Sequence, residues 1–585
     1  MNSLRAALIL SSLVAVTACM STSTGPYNHA LIQNGRPSDA EAYSDFLIAR
    51  FAAMTNDPEM AAARYADAID SAPEKSGIAD RAVFAALLSG NYEEGVRLAG
   101  RAQEVGSEAA LVRLTLGVDA MRNGRDSEAK ALLEQSRFGP FNTMVARGLS
   151  AWRVVESEGA DAAVAYLRSG LNGDPRLDSS ALYMMGLVEM SAGNDEAALA
   201  IFDSLWESGA KLAIGVEAHA QLLASRGERE RALDILNVFR EDVGHNAALD
   251  RLRMAIEQDR PIKVRRLSPR EGAALAVYVP AAALMDQTRD DVSAVYFVLA
   301  LALDPDLHVA RSLWGQALDH ADRRDEAMAV LAKIPESSAF YATSRGQIAW
   351  ALRRSDRNES ALSVAAEALR HSPDRGLKVQ LSDLYRSLEH FDEAEALLDE
   401  IVAEDAAEGR EDWRVIYARG ATREALGDWP SAEADLKQAL ALQPDNASIL
   451  NYLGYSYVDR GENMSNALEM IRRAADLEPE SGYIIDSLGW AYYRLGRYEL
   501  ATRHLERAVE LEPGNLVLND HLGDAYWQVG RKLEARFQWQ RALSLEPGDE
   551  DRAQIEAKML SGPAVPTIQQ AETDGAALPP VSQRP

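Results

Sequence analysis

Cysteine is almost missing from this chain of 585 residues: the single one is Cys19. A disulfide framework is therefore excluded, and so is a cysteine-ligated metal cluster. Aromatic residues make up only 7%, while the 47% hydrophobic content is carried by Ala and Leu, a composition that favours helix. Basic residues are outnumbered, 61 against 89 acidic, and the formal charge is −28. A phosphate backbone would be repelled, so no nucleic acid is expected as a partner. Beyond residue 19 there is no run of 18 consecutive apolar residues, so no ordinary transmembrane helix is expected there. Catalytic signatures are missing too: no segment reads as G-x-x-x-x-G-K-[ST], G-x-S-x-G or H-E-x-x-H. The nine histidines are scattered, and His308 and His320 are too far apart to share one helix face. No metal, cofactor or catalytic residue is expected, and the chain does not read as an enzyme.

What the sequence does contain is a repeat. Pro444, Pro479, Pro513 and Pro547 are 35, 34 and 34 residues apart, and the same residue types recur before each. Twelve residues before each proline stands an alanine (Ala432, Ala467, Ala501, Ala535), and five before stands another (Ala439, Ala474, Ala508, Ala542). Eight before is a bulky apolar residue: Leu436, Ile471, Leu505 or Trp539. A glycine opens each pattern: Gly420, Gly454, Gly489, Gly523. Glycine and alanine suit places where two helices approach too closely for a larger side chain, the bulky residue fills the remaining gap, and proline stops the second helix. "LGDWP", "LGRYE" and "VGRKLE" place a glycine at the end of each first helix. This recurrence resembles the tetratricopeptide repeat, a pair of antiparallel helices per unit.

Weaker copies lie upstream, with Ala61, Tyr65, Ala68 and Pro73, with Ser293, Phe297, Ala300 and Pro305, and with Ala361, Ala365, Ala368 and Pro373 at the same offsets. The expected fold is all-α, a tetratricopeptide-repeat α-solenoid of about a dozen helical hairpins in two arms. Degenerate repeats span 38–240, middle repeats 271–406 and the regular ones 407–560. The segment 241–270, with clustered basic residues and two prolines, is the expected hinge. Residues 561–585 carry five prolines and read as a disordered tail.

The start, "MNSLRAALILSSLVAVTAC", has one arginine, an apolar run from Ala6 to Val16, and then small residues before the cysteine. It resembles a bacterial lipoprotein signal peptide (1–18) with Val16, Thr17, Ala18 and Cys19 as its lipobox. The resemblance implies acylation of Cys19, removal of the leader and a polar tether at 19–37. With Met20 rather than Asp after the cysteine, it implies an outer-membrane lipoprotein facing the periplasm and held by lipid.

In such a solenoid the first helix of each unit lines a concave groove suited to peptides or partner helices. Residues one turn apart on the face away from the glycine select Asn451, Tyr455, Val458 and Asp459, then Asp486, Trp490, Tyr493 and Arg494, then Asp520, Asp524, Trp527 and Gln528. Rings beside carboxylates would suit a protein partner with apolar anchors and Lys or Arg. Tyr492, Tyr526 and Trp539 fall on packing positions and are expected in the core.

The wording of the last units, "NYLGYSYVDRGENMSNALEMIRRAADLEPESGYIIDSLGWAYYRLGRYELA" running into "NDHLGDAYWQVGRKLEARFQWQRAL", resembles a family of proteobacterial tetratricopeptide-repeat outer-membrane lipoproteins. That family includes the binding partner of a periplasmic carboxyl-terminal processing protease. "GAALAVYVPAAALMDQTRDDVSAVYFVLALALDPD" resembles its middle section, with Pro280 a departure inside a helix. The resemblance implies a non-catalytic adaptor that binds the protease and brings it substrates such as cell-wall hydrolases. The alternative is a scaffold for outer-membrane assembly, polysaccharide export or pilus biogenesis.

Overall fold

The computed structural model describes residues 37–563, apart from 72–75, 138, 172, 174, 286–289 and 373. Cys19, the leader, most of the tether and nearly all of the tail lie outside the described residues. Among the described residues there are 30 helices and no strand. They form fourteen hairpins and two single helices, Ala247–Glu257 and Asp549–Ser561, slightly more than the dozen hairpins expected.

The repeat grammar works through close packing. A Cβ added at Gly489 would lie 2.6 Å from Leu505 Cγ, and one at Gly454 would lie 2.7 Å from Ile471 Cγ1. The same pairing recurs in the irregular repeats, where Gly186 faces Phe202 at 2.7 Å and Gly315 faces Leu331 at 2.5 Å. The bulky residue of the second helix thus fills the gap that glycine leaves in the first. Tyr492, Tyr526 and Trp539 are buried, as their packing positions require. Gly496 and Gly530 end their first helices in the left-handed region, where a side chain would be strained.

The chain divides into two compact units at Leu377/Lys378. The expected division within 241–270 is therefore displaced. That segment belongs to the first unit, where it supplies the helix Ala247–Glu257 and then an extended strap. The strap is fastened at several points: Arg266 pairs with Asp195, the Leu267 N–H donates to Ser191 Oγ at 3.1 Å, and the Arg265 N–H donates to Gln221 Oε1 at 3.1 Å. Ser268 and Glu271 close it with a capping box at the start of Pro269–Leu284. The clustered basic residues read as a hinge because their acceptors lie about 70 and 45 residues upstream, beyond any local pattern.

In the first unit the hairpin Pro269–Leu284 and Asp290–Leu303 leads into the next one, with Asp290–Leu303 against His308–His320, but it also reaches back across the array. It packs on the first helices of earlier repeats: the former against Gly139–Glu158, the latter against Ser76–Leu88 and Ala110–Arg122. Gly148 meets Ala276, Gly272 lies against the Trp152 ring, and Tyr296 Oη donates to Asn142 Oδ1 at 3.0 Å. Every residue from Gly272 to Ala281 is buried, the helix-interior Pro280 included. A helix that is apolar all round is one enclosed on all sides. The inner face of these N-terminal repeats is thereby covered by the chain's own middle hairpin.

Candidate protein-binding groove

In the second unit no hairpin among the described residues packs back across the first helices in this way. Trp413–Ala425, Ala447–Arg460, Gly482–Arg494 and Leu516–Gln528 each pair with their own second helix, and the last three also touch one another in succession. Positions that recur every turn opposite the glycine therefore share one face.

The structure treats the ten selected residues unequally. Asn451, Asp486, Tyr493 and Asp524 are buried, while Tyr455, Trp490, Arg494, Asp520, Trp527 and Gln528 are half-buried. Trp490 stacks on Tyr493, with centroids 4.7 Å apart, and on His521 of the next repeat at 4.0 Å. His521 Nδ1 is 2.9 Å from Asp486 Oδ2. Burial opposes charge on this imidazole, but Asp486 prevails and its pKa is raised. Arg494 Nη1 reaches Asp459 Oδ1 at 3.4 Å, and Gln528 Nε2 donates to Tyr493 Oη at 3.3 Å.

The last repeat is closed by the final helix, Asp549–Ser561. Lys558 Nζ donates to Asp520 at 2.6 Å and to Asp524 at 2.9 Å. The Trp539 indole N–H donates to Asp524 Oδ1 at 3.1 Å. Burial pushes the Asp524 carboxyl up to about 6 against the pull of Lys558. Trp527 lies 5.5 Å from the Trp539 ring, and Gly562 is seated so closely on it that an added Cβ would come within 2.3 Å. The expectation that these carboxylates wait for Lys or Arg of a partner is thus corrected. Asp459, Asp486, Asp520 and Asp524 already have Arg494, His521 and Lys558 from this chain, and Trp527 serves the end cap.

What stays open is aromatic. Tyr417, Tyr452 and Tyr483 gather near Glu424, and Tyr455 joins them through Tyr483: Tyr417 meets Tyr452 edge-on at 5.5 Å, and Tyr483 and Glu424 act electrostatically on Tyr417. Tyr452 also bonds Glu424. Tyr483 is 52% exposed. Burial pushes Tyr417 and Tyr455 to about 12 and raises the other two, so all four hydroxyls stay neutral donors at physiological pH. Asn451 Oδ1 is buried in the same repeat without a hydrogen-bond partner. Sequence reasoning missed Tyr417, Tyr452 and Tyr483. Tyr483 lies one turn before Asp486 on the face already selected, so extending the period backwards would have found it.

Among the described residues no group of three or more His, Cys, Asp or Glu is placed to hold a metal, and no helix is long and apolar enough to cross a membrane.

Residues 347–546 match the profile of the tetratricopeptide repeat family. A TPR repeat-containing protein of Pseudomonas aeruginosa is 27% identical over 154 residues, 26% of either chain. A lipoprotein NlpI homologue of Haemophilus influenzae is 36% identical over 87 residues, 15% of this chain and 27% of that one. The chain thus spans about a quarter of the length of these curated relatives. Among solved structures, the APC/C hetero-tetramer Cut9-Hcn1 is similar across 89% of this chain and 96% of that one, with 15% identity and a TM-score of 0.39. MamA is similar across 30% of this chain and 96% of that one, with 22% identity and a TM-score of 0.25.

Proposed function

We propose that this chain is a non-catalytic scaffold that captures a protein segment in the groove of its second unit. The observation that carries the reading is the aromatic lining: four neutral tyrosines and Trp490. Such a surface buries apolar anchors while its hydroxyls meet backbone groups, which is how a groove binds extended or helical segments. The covered inner face of the first unit and the occupied carboxylates of the last repeat support placing capture at Tyr417 to Trp490. By the resemblance of its start to lipoprotein signal peptides, Cys19 anchors the scaffold in the outer membrane, facing the periplasm. By the resemblance of its last repeats, it brings substrates such as cell-wall hydrolases to a carboxyl-terminal processing protease. The name of the Haemophilus influenzae relative is in keeping with a lipoprotein. Affinity capture of the native lipoprotein from cell envelopes tests this reading, followed by addition of a captured protease and its substrate. Faster cleavage in the presence of the scaffold is expected. Capture of outer-membrane assembly, export or pilus components instead would replace the protease with the second scaffold reading, and Cys19→Ser should release the protein from the membrane fraction.

A further inference from the structure

The two ends of the described chain are finished differently. Solenoids need terminal elements with a polar outer face, because the last hairpin has no neighbour to cover it. The helix Asp549–Ser561 is largely polar outside: it begins with Asp549, Glu550 and Asp551, buries only Ile555, and exposes one large apolar side chain, Leu560. Pro37–Met54 at the other end is not. Its inner side buries Ala42, Ala49 and Ala52. Its outer side carries Tyr43, Leu47, Phe51 and Met54, between 44% and 77% exposed. Offsets of four, four and three residues put these four side chains on one stripe within about a quarter of the helix circumference, opposite the alanines. The stripe itself is free of charge.

We propose that this stripe rests on the lipid surface, so that the scaffold meets the membrane through its first helix as well as through its anchor. What points to lipid rather than to another protein is the chain that leads into the helix. Cys19, the acylation site of the proposed function, stands 18 residues before Pro37. An anchor there holds the start of the helix within at most about 60 Å of the bilayer, whatever path the intervening residues take, and the stripe lies within the next about 25 Å of helix. Tyr, Leu, Phe and Met on one side of a helix lying flat are what an interfacial helix offers to the boundary between headgroups and acyl chains. The proposal rests on the anchor reading for its location but not for its chemistry, and its test leaves out the acyl chain.

The chain from Met20 to Pro585 keeps every described residue and lacks the acylation site. It is floated with vesicles of phosphatidylcholine and phosphatidylethanolamine, which carry no net charge to repel a chain of −28. Without acyl chains the wild-type stripe is expected to float only a part of the protein at high lipid concentration, with little dependence on salt, and to hold too weakly to keep it in washed membranes. A variant with Tyr43→Ser, Leu47→Ser, Phe51→Ser and Met54→Ser should partition about tenfold less or weaker still, with unchanged helicity and melting. A milder variant, Phe51→Ser with Met54→Ser, guards against misfolding and should show a partial loss. Wild type that stays with the unbound fraction, or a stripe variant that floats equally well, overturns the proposal. So does a wild-type dimer that the variant converts to monomer, because a second copy would then be what covers the stripe. None of these outcomes bears on partner capture by the second unit.

Discussion

Lys558→Met isolates the clamp that closes the last repeat. In the wild type one ammonium serves two carboxylates, and Asp524 is only 3% exposed. Without it Asp524 keeps the Trp539 indole N–H, and Asp520 loses its salt bridge. Removing one partner of a fully buried pair costs about 3–5 kcal/mol. Because the Asp520 side chain is 18% exposed and can be rehydrated, about 2–3 kcal/mol is the fitting figure at neutral pH. The loss should depend on pH in a definite direction. Burial raises Asp524 to about 6 in the fold, above the ordinary aspartate range near 4, so its contribution to stability falls as pH rises from about 4 to 6 and stays low above that. Taking away Lys558 moves the folded value higher, so the fall continues past pH 6. The deficit of the variant is therefore small near pH 5 and full near pH 8. Amide hydrogen exchange across Asp549–Ser561 reads it directly: protection should drop about 30- to 150-fold at pH 8 and far less at pH 5. Equal protection in both proteins at pH 8, or an equal loss at both pH values, would refute the clamp.

Other consequences can be checked alongside. Gly523→Ala puts a Cβ 2.4 Å from the rigid Trp539 indole, whereas Gly420→Ala meets Leu436 Cγ at 3.0 Å, so urea unfolding should show a loss of about 1–3 kcal/mol at Gly523 and less at Gly420. His521→Asn should destabilise the second unit most below pH 6.5. A raised imidazole pKa contributes stability that is complete below its unfolded value and lost as pH rises through the folded one, so a variant whose deficit grew with pH would contradict the Asp486 pairing. Asn451→Leu removes a buried acceptor that has no donor among the described residues, so urea unfolding should show a stability unchanged or improved by up to about 1 kcal/mol. A clear loss of stability there would mean that the amide already has an internal role.

The repeat was legible because close packing between neighbouring helices leaves a local trace: Gly489 and Leu505, or Gly523 and Trp539, are 16 residues apart, and Gly454 and Ile471 are 17. The plug in the first unit left none, since Gly148 meets Ala276 across 128 residues and only the all-round apolar character of Pro269–Leu284 hinted at enclosure. The same holds for the last repeat. Asp520, Asp524 and Trp527 stand out as spare residues when a repeat is read alone, and Lys558 and Gly562, 34 to 38 residues later, are what they are spare for. Tyr483 was within reach of the sequence and was passed over because the face was followed from Asp486 onwards only.

The most direct test of the account pairs Tyr455→Ala and Tyr483→Ala in the acylated chain and measures partner capture from envelopes beside far-ultraviolet circular dichroism and melting. Both rings stand at the aromatic face and one is more than half exposed, so helicity and melting should hold while capture falls by about tenfold or more. Capture at the wild-type level with the fold intact would contradict a protein-binding groove at this face.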